Sequence, residues 1–111
     1  MLEPKKDIYT ILSEIEGAVA YQSRPDIDME LPCFIFYISG NLPVYVLEKA
    51  ISHQEVEVTI DIFGKTSVES GSLLTLLESA MLGEGYRLTY CSDIPDDNTS
   101  HITTRFNLVG Y

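Results

Sequence analysis

The sequence is short of cysteine and has few possible metal ligands. It contains 111 residues but only two cysteines, Cys33 and Cys91, and only two histidines, His53 and His101. Two cysteines are too few to define a disulfide framework, and both lie in apolar or strand-like runs, so we expect a reduced, buried pair. Neither cysteine has the close spacing to a second cysteine or histidine that zinc sites use. We therefore expect no metal site.

Basic residues are also scarce. Seven lysines and arginines stand against 17 aspartates and glutamates, which gives a formal net charge of −10. Affinity for nucleic acid depends on Lys and Arg side chains that displace counterions from phosphates. Only Lys5 and Lys6 are adjacent, and the other basic residues are isolated. This composition argues against ordinary nucleic-acid binding, and the simplest role of the acidity is solubility.

Long apolar segments are absent. Asp7, Glu14 and Glu16 interrupt the first stretch of the chain, so no signal-peptide core and no bilayer span is expected. We predict a cytosolic location with no membrane contact. At 45% hydrophobic and 22% charged residues the chain is not of the disordered class. Its length predicts a single domain over residues 1–111.

The first half of the chain changes its periodicity near residue 30. Apolar residues at helical spacing predict a helix from Pro4 or Lys5 to Ala20: Ile8, Ile11, Leu12, Ile15 and Val19. Residues 22–28 are typical of a loop. The run Leu31–Ile38 is apolar on both faces of a strand instead of one, which predicts a central or covered strand. Gly40–Pro43 then indicates a turn, and Val44–Leu47 a short further strand.

The second half is more regular. Strict alternation predicts a strand from Glu55 to Phe63, with Val56, Val58, Ile60 and Ile62 on one face and Glu55, Glu57, Thr59 and Asp61 on the other. Thr66 and Glu69 fit a capping box, so a helix should begin at Ser67 and end near Gly83 and Gly85.

Two more strands complete the pattern. Alternation predicts strands at Tyr86–Cys91 and Ile102–Val109, separated by a polar loop from Ser92 to Asn98. The order α-β-β-β-α-β-β predicts an α+β fold, a mainly antiparallel sheet of four to five strands with two helices packed on one face. The helices should cover the face that carries Val56. The other face should carry Glu55, Glu57 and Asp61 together with Arg105.

No catalytic motif is present. Glu55 and Glu57 lack a cleft that would separate the pKa values of an acid and a base. Ser92, Asp93 and His101 share only residue types with a triad, since no nucleophile elbow accompanies them. Gly83–Gly85 closes a helix and does not open one, unlike a phosphate-binding loop. We therefore predict no enzyme, no catalytic residues and no cofactor.

One family resemblance covers roughly residues 55–111. It is carried by Ile60 to Thr66, by Gly85-Tyr86-Arg87, by Ser92-Asp93-Ile94-Pro95-Asp96 and by His101 to Phe106. This pattern resembles the tail terminator, or tail-completion, proteins of long-tailed phages and prophages. The resemblance implies a virion protein of the tail or neck, made in the host cytoplasm. It further implies a homo-hexameric ring that caps the tail tube, meets the head connector and lets DNA pass without specific binding.

The resemblance also suggests roles for particular residues. Subunit contacts would come from Phe34, Phe36, Tyr37 and Tyr45, although the first three also suit the central strand of a monomer's sheet. Glu55, Glu57 and Asp61 would line the lumen and repel phosphates, although a solvated outer face shows the same alternation. A loop with Asp93, Asp96 and Asp97 would dock a partner, or be a plain surface loop.

A second function of another class fits the same elements. A small ferredoxin-like module that dimerises through an edge strand and binds a metabolite or protein would also contain two helices and about five strands. The two alternatives differ in stoichiometry, since a terminator forms a closed ring and a regulatory module of this kind typically stops at a two-fold dimer.

Overall fold

The fold is the α+β arrangement that the sequence predicts. A computed structural model describes residues 4–22, 31–46, 49–95 and 100–110, with the backbone alone at 4, 41–46, 49–54 and 109–110. Its elements are α1 (Pro4–Ser13), β1 (Val19–Gln22), β2 (Cys33–Val46), β3 (Lys49–Gly64), α2 (Ser67–Gly83), β4 (Arg87–Ile94) and β5 (Ser100–Gly110). The predicted order α-β-β-β-α-β-β is confirmed, although the three strands of the first half differ from those expected.

One mostly antiparallel sheet holds the five strands, in the order β1-β2-β3-β5-β4. The short strand β1 is parallel to β2, whereas β2 with β3, β3 with β5 and β5 with β4 are antiparallel. The long hairpin of β2 and β3 therefore forms the centre of the sheet.

The first helix is shorter than its apolar spacing predicts. It ends at Ser13, and Val19–Gln22 forms β1 beside Cys33–Phe36. Gly17 lies between them with φ of +92°, a conformation that other residues rarely adopt, so the helix cannot continue through it. The prediction of a helix to Ala20 is wrong because Val19, an exposed residue of β1, continued the helical spacing by coincidence.

The predicted turn at Gly40–Pro43 is also wrong. Strand β2 continues through it to Val46, with Leu42 opposite Glu55 and Pro43 opposite Gln54. Beyond Phe36, β2 has no strand on its outer side within the described residues, so proline is tolerated there as on other edge strands. A separate strand at Val44–Leu47 is therefore not formed, and Val44–Val46 belong to β2.

The core lies against the face predicted for it. Val56, Val58, Ile60 and Ile62 have no exposed surface. They belong to a single cluster with buried side chains of both helices and of the neighbouring strands, which includes Ile8, Leu12, Phe34, Phe36, Leu73, Leu77, Met81, Tyr86, Ile102 and Phe106. Burial of this apolar surface is the main stabilising contribution to the fold.

Both ends of α2 fall where the sequence predicts them. Thr66 Oγ1 accepts a hydrogen bond from the Glu69 amide at 3.1 Å, while Glu69 Oε1 accepts from the Lys65 amide at 2.9 Å, one residue before the usual partner. At the other end Gly85 has φ of +90°, and the Tyr86 amide donates to the Met81 carbonyl at 3.0 Å. This is a Schellman motif, which ends the helix and starts β4.

Strand β4 is longer and less regular than expected. It runs from Arg87 to Ile94, so residues 92–94, predicted to be loop, are strand. A bulge between Leu88 and Tyr90 interrupts the alternation. Leu88 packs on the core cluster, whereas Tyr90 pairs with Arg105 and lies on the opposite face. The predicted alignment of Leu88 and Tyr90 on one face is therefore wrong.

Candidate functional site

The candidate site is the sheet face that points away from the core cluster, here called the polar face. It is carried by alternate residues of β3 and β5, because side chains along a strand point to opposite sides. Its pairs are Glu57 with Asn107, Thr59 with Arg105, and Asp61 with Thr103. Since directly opposite residues share a face, the structure brings Glu55, Glu57 and Asp61 to one surface, as predicted.

The carboxylates lie in different surroundings along β3. Glu55 is exposed and Glu57 is half-buried, and both line a depression of about 320 Å³ together with Ser39, Gly40 and Asn107. The Ser39 hydroxyl donates to the Glu57 carbonyl at 3.3 Å and accepts from the Thr59 hydroxyl at 3.0 Å. These bonds hold the bulged residue Ser39 against β3.

Asp61 is close to the histidine of β5. His101 Nε2 lies 3.6 Å from Asp61 Oδ1, and the imidazole stacks on the Phe63 ring with 4.1 Å between centroids. The pair carries an ionic attraction only when the histidine is protonated. At this end the face turns apolar, because Phe63 joins Cys33 and Ile35 in a small buried cluster.

The basic residues of the polar face lie towards the β4 edge of the sheet, away from the β3 carboxylates. The Arg105 guanidinium is 5.1 Å from the centroid of the Tyr90 ring, a cation–π contact. Arg87 on β4 lies opposite Asn107 and so joins the same face. Carboxylates on β3 therefore face arginines on β5 and β4, and the polar face is not uniformly acidic. Arg87 was not predicted for this face, because the bulge between Leu88 and Tyr90 interrupts the alternation of β4 and is not visible in the sequence.

The aromatic residues predicted for subunit contact divide into two groups. Phe34 and Phe36 have no exposed surface and pack in the chain's own core, so their assignment to a subunit contact is wrong and the alternative of a core strand holds. Tyr37 is 46% exposed and pairs with Thr59, which places it on the polar face. The backbone of Tyr45 is part of β2, while its side chain lies outside the described residues.

The predicted docking loop is only partly covered. Asp93 is exposed but belongs to β4, so its place in a loop is wrong, and Asp96 and Asp97 lie outside the described residues. Of the two cysteines only Cys33 is buried, whereas Cys91 is exposed because it lies in the edge strand β4, so the prediction of a buried pair is wrong for Cys91. Partial burial and the carboxylates of Asp93 and Glu78 raise the pKa of the Cys91 thiol.

Ser92, the serine of the predicted residue types of a triad, lies on the polar face opposite Thr103. The Ser92 hydroxyl donates to the neighbouring Asp93 carbonyl at 3.2 Å, and that bond uses its proton. Within the described ranges, no three His, Cys, Asp or Glu residues are grouped as metal ligands. Neither helix of the described chain has the length and apolar character needed to cross a bilayer.

No protein-family model matches the chain, and no curated protein matches its sequence.

Proposed function

We propose that this protein is a non-enzymatic structural component of a phage or prophage virion. In this role it forms a ring of about six copies that caps the tail tube, joins it to the head connector and surrounds the passing DNA. The observation that carries the proposal is the long β2–β3 hairpin, which continues past the rest of the sheet. Together with the resemblance of residues 55–111 to tail terminators, it favours an assembling protein.

The hairpin makes the molecule elongated. The chain measures 53 × 27 × 25 Å, and β5 pairs with β3 only as far as Gln54. Beyond that point the described residues of the hairpin form two strands with no third strand beside them, and these pair up to Val46 and Lys49. An isolated two-stranded ribbon is only marginally stable in water. An extension of this kind is stabilised when a neighbouring subunit packs on it.

The polar face is the surface that we assign to the lumen. Glu55, Glu57 and Asp61 lie on it together, and the whole chain carries a net charge of −10. A ring with negative carboxylates towards its axis repels phosphates, so DNA passes without adhering. The arginines lie towards β4, nearer to the edge of each copy.

The order of helices and strands along the chain does not support the alternative of a ferredoxin-like dimer. A ferredoxin-like domain follows the order β-α-β-β-α-β, whereas the described elements follow α-β-β-β-α-β-β. No observation on the described residues favours a metabolite site.

The role can be tested in the virus itself. We expect disruption of the gene in an inducible prophage to give lysates in which filled heads and tails are separate and tail tubes vary in length. Electron microscopy of the lysate measures both properties, with a plasmid copy of the wild-type gene as the control. Normal, joined virions from the disrupted prophage would contradict the proposed role.

A further inference from the structure

Among the described residues, the sheet has an unpaired strand edge on each side. Strand β1 pairs only with Cys33–Phe36, so the outer edge of β2 from Tyr37 to Val46 has no strand beside it within the described residues. On the opposite side, β4 pairs with β5 and its outer edge is likewise open across the described chain. Free edges present unpaired N–H and C=O groups and are templates for further strand pairing.

The two edges carry few of the charges that usually protect edge strands. Residues 37–46 contain no charged side chain type, and β4 contains one arginine and one aspartate, in a chain of net charge −10. Lysine and other charged residues are the common means of preventing edge-to-edge association. The two edges are therefore neutral segments of an acidic protein, and two copies can meet there with little repulsion.

The strand directions fit pairing between the two edges. Because β2 with β3, β3 with β5 and β5 with β4 are each antiparallel, β4 runs opposite to β2 within one chain. A second copy in the same orientation, placed next to β4, presents its β2 antiparallel to that strand. Antiparallel pairs are the commoner and slightly more stable kind.

We infer that the β4 edge of one copy pairs with the free β2 edge, Tyr37–Val46, of the next copy, so that one sheet continues from copy to copy. This contact is heterologous, since it uses two different edges of the chain, and repetition closes into a ring if the rotation allows. The inference rests on the proposed ring and supplies the contact that builds it.

Exposed apolar side chains suggest the register. Tyr37 is 46% exposed and Ile94 39% exposed, and both lie on the polar face by their pairing with Thr59 and His101. With Ile94 opposite Tyr37 of the next copy, all eight residues of β4 fit beside the ten free positions of β2. The neighbour's β1, beside Phe36, blocks a shift towards the start of β2.

The same register offsets each copy along the strands. Within one chain, Ile94 pairs with His101, His101 with Phe63 and Phe63 with Cys33, so Ile94 and Cys33 lie at the same height across the sheet. In the inferred contact, Ile94 lies at the height of Tyr37 of the next copy. The offset is about four residues, or ~13 Å at the usual rise per strand residue. Closed sheets need such a stagger, because their strands tilt from the axis.

Charge on the polar face is complementary across this contact. Arg87 and Arg105 lie on β4 and β5, next to the edge that meets the neighbour, whereas Glu55 and Glu57 lie on β3. In the continued sheet only the neighbour's β2 separates its β3 carboxylates from β4 of the first copy. The arginine side of each copy therefore meets the carboxylate side of the next, which favours head-to-tail order over like-to-like pairing.

A cysteine scan tests this contact, with exposed Cys91 as the fixed partner. Counting the bulge at Ser39, Cys91 lies opposite position 41 of the next copy, and opposite residues of a strand pair are close enough for a disulfide. We place single cysteines at positions 37–46 in turn and oxidise each full-length variant with diamide at ring-forming concentration. Non-reducing gels should show a ladder ending near six copies, strongest for Asn41→Cys.

Matched variants separate this contact from others. Leu42→Cys, whose position pairs with Glu55 on the polar face, should cross-link at least several-fold less than Asn41→Cys. The double variant Asn41→Cys/Cys91→Ser and the helix variant Ser72→Cys should give no ladder. Circular dichroism establishes that each variant is folded before oxidation.

Each remaining outcome would overturn the inference. Wild-type protein that oxidises to a dimer through Cys91 alone, with no ladder from any scanned position, would mean that β4 pairs with β4. Rings seen by microscopy without a ladder would leave the proposed function intact and overturn only the edge contact. Absence of both rings and cross-links at every concentration would overturn the two together.

Discussion

At the scale of single residues, Tyr86 links the end of α2 to the core. It is 2% exposed, and burial, followed by the nearby charges of Asp7 and Glu84, raises its pKa to about 12. The unfolded chain releases this proton near the ordinary tyrosine pKa of about 10. Between these values the unfolded state binds fewer protons than the folded state, so the free energy of unfolding falls as pH rises.

Replacement of this tyrosine tests that linkage. We expect Tyr86→Phe to lose less stability than wild type between about pH 10 and pH 12, as measured by urea unfolding at each pH. Tyr9→Phe, at a tyrosine that is 51% exposed, is the control for loss of a tyrosine hydroxyl elsewhere in the chain. Equal slopes for Tyr86→Phe and wild type would contradict the role of Tyr86.

The thiol of Cys91 gives a second prediction at this scale. Its pKa is raised by partial burial and then by the charges of Asp93 and Glu78. Because the thiolate is the reactive form, iodoacetamide should alkylate Cys91 at pH 8 more slowly than a cysteine in an unfolded peptide. Glu78→Gln should speed the reaction, whereas Glu16→Gln should leave it unchanged. An unaltered rate in Glu78→Gln would contradict the electrostatic cause.

At the scale of elements, α2 shows why composition alone does not identify a buried face. Leucines occupy positions 73, 74, 76 and 77, yet Leu77 has no exposed surface and Leu76 is 51% exposed. We expect Leu77→Ala to lower the free energy of unfolding by about 2 to 5 kcal/mol. Leu76→Ala, one residue earlier, should change it by less than about 1 kcal/mol. Similar losses in denaturant unfolding would contradict the packing described for this helix.

The end of α2 depends on a glycine with a left-handed backbone. Gly85 has φ of +90°, and a Cβ there would lie 3.3 Å from Leu108 Cδ1. Gly85→Ala should therefore destabilise the protein by about 1 kcal/mol or more. Gly83→Ala is the matched control, because apart from its chain neighbours and the backbone of its own helix no atom lies within 4 Å of the Cβ position, and it should be neutral or stabilising. A stabilising Gly85→Ala in thermal unfolding would contradict the Schellman motif.

Regular elements were predictable, and irregular ones were not. The β3 face, the start of α2 at Ser67 and strand β5 follow from strict periodicity and one capping box. The end of α1 was missed because Val19 continues a helical spacing although it lies in β1. The path of β2 through Pro43 was missed because a proline signals a turn unless the strand has a free edge, and edges are decided by the whole sheet.

At the scale of the whole molecule, the candidate site was predicted in part. Glu55, Glu57 and Asp61 share a face because they alternate along one strand, which the sequence shows directly. The arginine side of that face depends on the bulge at residues 88–90 and on pairing between β4 and β5, both of which are non-local. The free edges, on which the assembly proposal depends, follow only from the order of the strands.

The central claim is that copies of this chain close into a ring, and its solution mass tests this most directly. Light scattering over a range of concentrations at moderate salt, followed by negative-stain imaging of the largest species, measures both mass and shape. We predict growth with concentration to a species of about six subunits, seen as closed rings, as expected for a head-to-tail contact. A tight dimer that does not grow at any concentration would contradict the ring and favour a two-fold binding module.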